Sequence, residues 1–439
     1  IKVLYIDMDN MFNSMSDSIN FSETLNNENI TPNSQITITN SQFIPEFNND
    51  NKMLYITLDG TIDCFCNLNE NLNVFSDSTN NLICKKTTMQ TCSCIQTINK
   101  TTNYEFNFNI DDKISKILSF DSKVIIDETT CYENYILLNG QIINNIIYEV
   151  ENDGINSIKI HSNSTSFKSE IEANNCDNLC FADISSYINL NDSQITTDIG
   201  DNNTKLSFDY CIISNGYVYK NLNINIIEDA YSLDSFVEPV NSMYNLCQKS
   251  FYIKTCENID SEITLADELN VDEILGMVNT SANITQYSIK QNTLVIEGVI
   301  NGNLLYLDEN HEIKHLATQL PYSISIKQEF ENELCGLHIT VIPKSCKCKI
   351  KRGNTLMIDY ELALNGNVYS KHQVQLISDI KLGKMLDYGD VSLQIYIARP
   401  NESDWELCKR LHVSHDKLLE FNADTPNTYM GGEKIIIYR

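Results

Sequence analysis

The chain has 439 residues, 59 of them acidic against 31 basic, for a formal charge of −28, and 42% of them are hydrophobic. That length holds about three domains of about 150 residues each, and with 15 Gly and 7 Pro it is neither collagen-like nor low-complexity. The acid excess excludes general affinity for nucleic acid or anionic membranes, which needs clustered Lys and Arg to replace counterions.

The chain opens at Ile1 inside an alternating apolar run, so a preceding stretch is expected. Residues 1–10 lack the basic and apolar regions of a signal peptide, and no run approaches about 18 apolar residues, so a cytosolic chain without membrane insertion is expected. Its 15 cysteines are scattered through every region, and in a reducing compartment most are expected to be inert thiols.

Ile1-Lys-Val-Leu-Tyr5 is a partial copy of an element that recurs as Gly140-Gln-Ile-Ile-Asn-Asn-Ile-Ile-Tyr148 and Gly298-Val-Ile-Asn-Gly-Asn-Leu-Leu-Tyr306. Acidic residues follow each copy: Asp7 and Asp9, Glu151 and Asp153, Asp308 and Glu309. Ile6-Asp-Met-Asp-Asn-Met-Phe12 resembles the first metal-binding strand of lesion-bypass polymerases, and more loosely phosphatase Asp-x-Asp motifs. Its recurrence makes an exposed acidic turn the simpler reading, since a hard cation wants about six oxygens.

A second element, Leu206 to Tyr219, lines up without gaps on Leu356 to Tyr369, and Ile56-Thr-Leu-Asp59 matches it weakly. Leu, Asp, Tyr, Asn, Gly, Val and Tyr keep the same offsets. Each full copy predicts two strands joined by a tight turn at Asn215-Gly216 or Asn365-Gly366. Alternating runs bounded by Asn, Asp, Ser and Gly predict antiparallel, sandwich-like repeats. We place these at residues 1–80 (incomplete at its N-terminus), 136–230 and 294–385, joined by strand/helix spacers at 81–135 and 231–293. Cys84-Lys-Lys and Cys247-Gln-Lys open the spacers, and Leu265, Leu269, Ile274, Leu275 and Val278 are spaced for a helix in the second.

His311-Glu-Ile-Lys-His315 fits the zinc-peptidase pattern, which works only on a helix. The repeat puts it on a turn after a strand, so no metal site is expected there. Cys64-Phe-Cys66, Cys92-Ser-Cys94 and Cys346-Lys-Cys348 place thiols on one strand face, as any alternation by two does. With no phosphate loop or nucleophile elbow either, we expect no catalytic residue, no metal and no cofactor.

Residues 391–439 change character. Leu393 to Ile397 predicts a strand, Ser403 to Leu411 and Ser414 to Phe421 two helices with Ser403 and Ser414 as N-caps, and Gly431 to Tyr438 a turn and a last strand. Trp405, Leu407, Leu411, Val413, Leu418, Leu419 and Phe421 would form the core. The fold class is therefore mainly β, with a small α+β (βααβ) module at the C-terminus.

That order resembles a LysM domain, with Trp405 on the first helix, Val413-Ser414 between helices, Leu418 and Asn422 on the second, and a Gly before the last strand. Glycan-binding LysM modules carry Gly-Asp-Thr/Ser-Leu-Trp, where this chain has Asn401-Glu-Ser-Asp-Trp405. The β repeats resemble the SPOCS domain, and several such repeats before one terminal LysM resemble the SipL-type spore coat morphogenetic proteins of clostridia. The resemblance implies a non-enzymatic scaffold in the mother-cell cytoplasm at the forespore surface, its LysM domain bound to the morphogenetic ATPase of the coat's basement layer. The partner-binding residues are then expected at Asn401, Glu402, Ser403, Asp404, Trp405, Lys409 and Arg410, the last two as cations facing an acidic partner. Competing readings are a LysM anchor on spore peptidoglycan, a self-assembling coat subunit that binds itself or other coat proteins, and a zinc peptidase using His311, Glu312 and His315.

Overall fold

The computed structural model describes residues 2–7, 12–17, 21–28, 30, 34–48, 53–65, 71–75, 81–152, 155–200, 203–266, 271–328, 334–351, 355–388, 393–422 and 426–438. It is mainly β, as the alternation predicts, and its helices among the described residues are two short ones near the C-terminus. The chain forms two compact units. The first holds residues 1–69, 93–220 and 249–370; the second holds residues 70–92, 221–248 and 371–439.

In chain order, β1 (Lys2–Ile6) pairs antiparallel with β2 (Phe12–Ser16), and β3 (Gln35–Asn48) with β4 (Met53–Phe65). The long β5 (Leu82–Ile110) precedes a three-stranded antiparallel sheet of β6 (Ile114–Tyr132), β7 (Tyr135–Asn152) and β8 (Ile155–Glu172), with β7 in the middle. Next, β9 (Cys180–Ile188) and β10 (Gln194–Ile199) both pair with β11 (Thr204–Ser232). After β12 (Ser235–Thr264) the pattern returns: β13 (Glu273–Lys290), β14 (Thr293–Leu307) and β15 (Ile313–Lys327) make a three-stranded sheet, and β16 (Leu334–Lys351) pairs with β17 (Thr355–Met385).

The sequence repeat is visible in space. Its Gly-to-Tyr element is the middle strand both times, β7 and β14, and in register Gly140 faces Phe167 while Gly298 faces Tyr322. A Cβ on Gly140 would sit 2.7 Å from Phe167 Cε1, and one on Gly298 would sit 2.5 Å from Tyr322 Cζ. The aromatic ring occupies the space a side chain would need, which is how a glycine is tolerated inside a strand. Ile136, Leu138, Ile142 and Ile146 of β7 share one core with Leu206, Phe208 and Tyr210 of β11. Leu294, Ile296, Ile300 and Leu304 of β14 share another with Leu356, Ile358 and Tyr360 of β17. Full burial of each such Leu or Ile contributes about 1.5–3 kcal/mol.

The hairpin turns expected at Asn215-Gly216 and Asn365-Gly366 do not form. Both dipeptides lie inside strands, with Gly216 opposite Ile184 and Gly366 opposite Ile339. A Cβ on Gly216 would land on the Asp183 carbonyl oxygen and 2.7 Å from Ile184 Cα, and one on Gly366 on the His338 carbonyl oxygen and 2.6 Å from Ile339 Cα. These glycines permit close strand approach. A turn here would also have unseated Tyr217, Val218, Val368 and Tyr369, all buried just beyond.

The two copies meet through matching positions. Asp183 faces Tyr217 across the ladder and His338 faces Asn367, the same place in each copy. Asp183 Oδ1 lies 2.8 Å from His338 Nδ1. The Tyr369 hydroxyl donates to Asp183 Oδ2, and its ring lies 6.2 Å from that of Tyr219, its counterpart.

The helix expected in the second spacer is also absent. Ile274, Leu275 and Val278 belong to β13, Leu265 is buried outside it, and Leu269 lies outside the described residues. Register shifts between Ile274 and Gly276, Val278 and Ser281, and Ile284 and Gln286 break the alternation by two. An extra residue at each bulge moves the apolar positions to spacings that imitate a helix. The first spacer is likewise built of β5 and β6.

Candidate functional site

The C-terminal module belongs to the second unit. It consists of β18 (Leu393–Ile397), α1 (Asp404–Leu411), α2 (His415–Phe421) and β19 (Lys434–Tyr438), the strands paired antiparallel. Ser403 caps α1 in a reciprocal capping box with Glu406, and Ser414 accepts from the Lys417 N–H at the start of α2. Such caps are worth about 1 kcal/mol each and explain why helices this short form. Leu407, Leu411, Val413 and Leu418 are buried with Ile435, Ile437, Tyr429 and Tyr231. Leu419 and Phe421, expected in that core, are instead 43% and 40% exposed, because a helix of this length turns only one narrow stripe inward. Asn422 ties α2 to β19, donating to the Ile436 and Leu418 carbonyls and accepting from the Ile436 N–H.

The predicted site residues lie together around α1, and most are engaged within the chain. Asn401 adopts φ 61° and its N–H donates to the Tyr429 carbonyl, so Asn keeps the left-handed backbone that glycine would supply. Glu402 is only 6% exposed. It takes a forked contact from Arg410, 2.6 Å from Nε and 2.8 Å from Nη2, and the Arg399 N–H as well. Arg410 holds its carboxyl below the usual range. Asp404 contacts His415 and accepts from the Tyr429 hydroxyl at 3.4 Å. Trp405, the only tryptophan, is half-buried against Tyr231 and donates through Nε1 to Asp229 at 2.9 Å. Lys409 donates to both oxygens of the same Asp229, at 2.6 and 2.8 Å. Burial pushes the Asp229 carboxyl up, but Lys409 and Trp405 outweigh it and its pKa is lowered.

Lys409 and Arg410 are thus each committed to a carboxylate of their own chain. Asp229, some 180 residues before Lys409, could not be paired with it from spacing; the Glu402 to Arg410 link, across one cap and one helix, could have been suspected. Asp229→Ala should destabilise the second unit by about 1–2 kcal/mol and shift Trp405 fluorescence toward that of an exposed indole. An unchanged emission spectrum would contradict the Trp405–Asp229 bond.

One sheet face of the module is exposed and largely apolar. Leu393, Ile395 and Ile397 of β18 lie opposite Tyr438, Ile436 and Lys434 of β19, and cross-strand partners share a sheet face. All five apolar side chains are exposed, with Ile395 at 62%, and Phe421 adds its ring 5.8 Å from that of Tyr438. The opposite face carries buried Ile435 and Ile437. Contiguous apolar surface of this kind marks interaction sites.

The other motifs read as structure. His311 sits at φ 59° in a turn and His315 inside β15 opposite Leu305, so the zinc-peptidase geometry does not form. Asp308 accepts from the Asn310 and Glu312 N–H groups, the work of a turn residue; Asp9 and Asp153 lie outside the described residues. The Cys346 and Cys348 sulfurs lie 3.6 Å apart on β16, and Cys92 and Cys94 share β5, whereas Cys66 lies outside the described residues. Among the described residues no helix is long and apolar enough to cross a membrane.

Comparison with known proteins returns one family. Residues 113–196 match the model described as SipL, SPOCS domain, a stretch running from the start of β6 into β10. No curated protein and no solved structure matches the chain. The chain therefore carries, at residues 113–196, a stretch similar to the SPOCS domain of SipL.

Proposed function

We propose that this chain is a non-enzymatic scaffold of spore coat assembly. In this reading the SPOCS-like repeats join coat components at the forespore surface, facing the mother-cell cytoplasm. The C-terminal module is a LysM fold converted to protein docking, and its partner is the morphogenetic ATPase of the coat's basement layer. Support comes from the SPOCS match, from the βααβ order with its two serine caps, and from the chemistry around Trp405. Where glycan-binding relatives place an apolar Leu, Asp404 is held between His415 and Tyr429.

The observation that carries the reading is the division of labour on the module. Its polar candidates Glu402, Trp405, Lys409 and Arg410 are bonded internally, while the β18–β19 face is left as exposed Leu, Ile and Tyr. Apolar side chains at the centre of a contact dominate protein–protein affinity. The full chain should bind the purified coat ATPase and fail to bind chitooligosaccharide in parallel titrations. Sugar binding without ATPase binding would make the module a peptidoglycan anchor and overturn the reading.

A further inference from the structure

The two helices of the C-terminal module bring three different donor groups to one point. Asp404 and Cys408 are one turn apart on α1 and so share a face, and His415 opens α2. One ligand atom from each lies within 4.8 Å of the other two. A tetrahedral zinc ion, with Zn–S near 2.3 Å and Zn–N or Zn–O near 2.0 Å, holds its ligand atoms roughly 3.3–3.7 Å apart. To reach that arrangement Asp404 and His415 part from their present contact and the Cys408 sulfur joins them around one centre.

We propose that Asp404, Cys408 and His415 form a zinc site that clips α1 to α2. The donor set selects the metal class: sulfur with imidazole and a single carboxylate suits zinc and not calcium or magnesium, which take oxygen ligands. Charge also balances. Cys408 loses its thiol proton to solvent on binding, and the resulting thiolate together with the Asp404 carboxylate neutralises the dication, while His415 binds as neutral imidazole.

The surroundings suit an ion held by three side chains with one open position. Cys408 is 2% exposed and anchors the inner side, whereas the His415 side chain is 54% exposed and leaves a path for entry and a fourth ligand from solvent. The Tyr429 hydroxyl reaches Asp404 Oδ1 at 3.4 Å and Tyr231 lies beside Cys408, positions from which outer partners orient ligands. The motif reads Asp-x₃-Cys-x₆-His, outside the familiar Cys-pair spacings, which is why the sequence does not announce it.

The test titrates the full chain with cobalt(II) and then zinc, comparing wild type with Cys408→Ser and His415→Gln. The expected result is visible absorption of tetrahedral cobalt with thiolate-to-cobalt charge transfer, displaced by zinc at one equivalent. Cys408→Ser should lose that equivalent, and His415→Gln should weaken it by at least about tenfold. His415 is exposed, so its variant keeps the fold even if the buried Cys408 substitution does not, and circular dichroism verifies this. A wild type that binds no zinc at micromolar concentration, or a His415→Gln variant with unchanged zinc affinity and cobalt spectrum, would overturn the proposal.

Discussion

Asp183→Ala is expected to destabilise the first unit by about 3–5 kcal/mol, a large share of what holds an ordinary domain folded. The Asp183 side chain is 4% exposed and accepts from both His338 and Tyr369, so alanine removes the acceptor of a buried imidazole and a buried hydroxyl together. The loss should depend on pH. Burial opposes a charge on His338, but the hydrogen bond and charge of Asp183 outweigh it and raise its pKa. A raised folded value means the pair's stabilisation is complete below the unfolded histidine pKa of about 6.5 and is lost as pH rises through the folded value. Urea midpoints of wild type and variant should therefore differ most at about pH 6 and less as pH rises through the folded His338 value, with the Tyr369 share of the gap remaining. A gap that is small, or constant across that range, would show that the two copies are not held together through this pair.

Alanine at Gly366 or Gly216 is the second large expected effect, a loss of roughly 2–5 kcal/mol. At both positions the new methyl would collide with backbone, the His338 or Asp183 carbonyl oxygen and the following Cα, and not with the far end of a flexible side chain. Gly366 carries the additional cost of φ 153°, a conformation that L-residues rarely adopt. Gly366→Ala should therefore be the worse of the two in thermal unfolding. If these were exposed hairpin turns, alanine would cost only the strain of a positive φ, about 1 kcal/mol, and both positions would respond alike. The measurement thus separates the in-strand role from the turn role.

The same glycines show what the sequence could and could not reveal. Their repetition at fixed offsets announced two copies of one unit, and the structure places both copies in equivalent strands. The dipeptide Asn-Gly suggested a turn because its local chemistry favours one. The contrary signal was the continuous apolar run Tyr217-Val218-Tyr219 directly after the glycine, all of it buried. Bulges in β13 hid a strand beneath helical spacing for a related reason: each added residue resets the period. The helices and strands of the C-terminal module were legible because serine N-caps are local devices, whereas the exposure of Leu419 and Phe421 was not. The partners of its charges were not, because Asp229 comes from a distant strand, and pairing across such separations is decided by packing. Lys409 and Arg410 stood out as cations on an acidic chain, and each neutralises a nearby carboxylate.

The exposed β18–β19 face, and not the charged residues of α1, is expected to dock the protein partner. The most direct measurement is the affinity of the full chain for the coat ATPase, comparing wild type, Ile395→Asp and Arg410→Gln. Ile395 is exposed on that face, so its substitution leaves the core intact, and placing a charge at the centre of an apolar interface should cost about 2 kcal/mol or more, roughly thirtyfold in Kd. Arg410→Gln, which disturbs an internal pair with Glu402, should change affinity by a much smaller factor. Undiminished binding by Ile395→Asp together with weakened binding by Arg410→Gln would contradict this and return the site to the charged edge of α1.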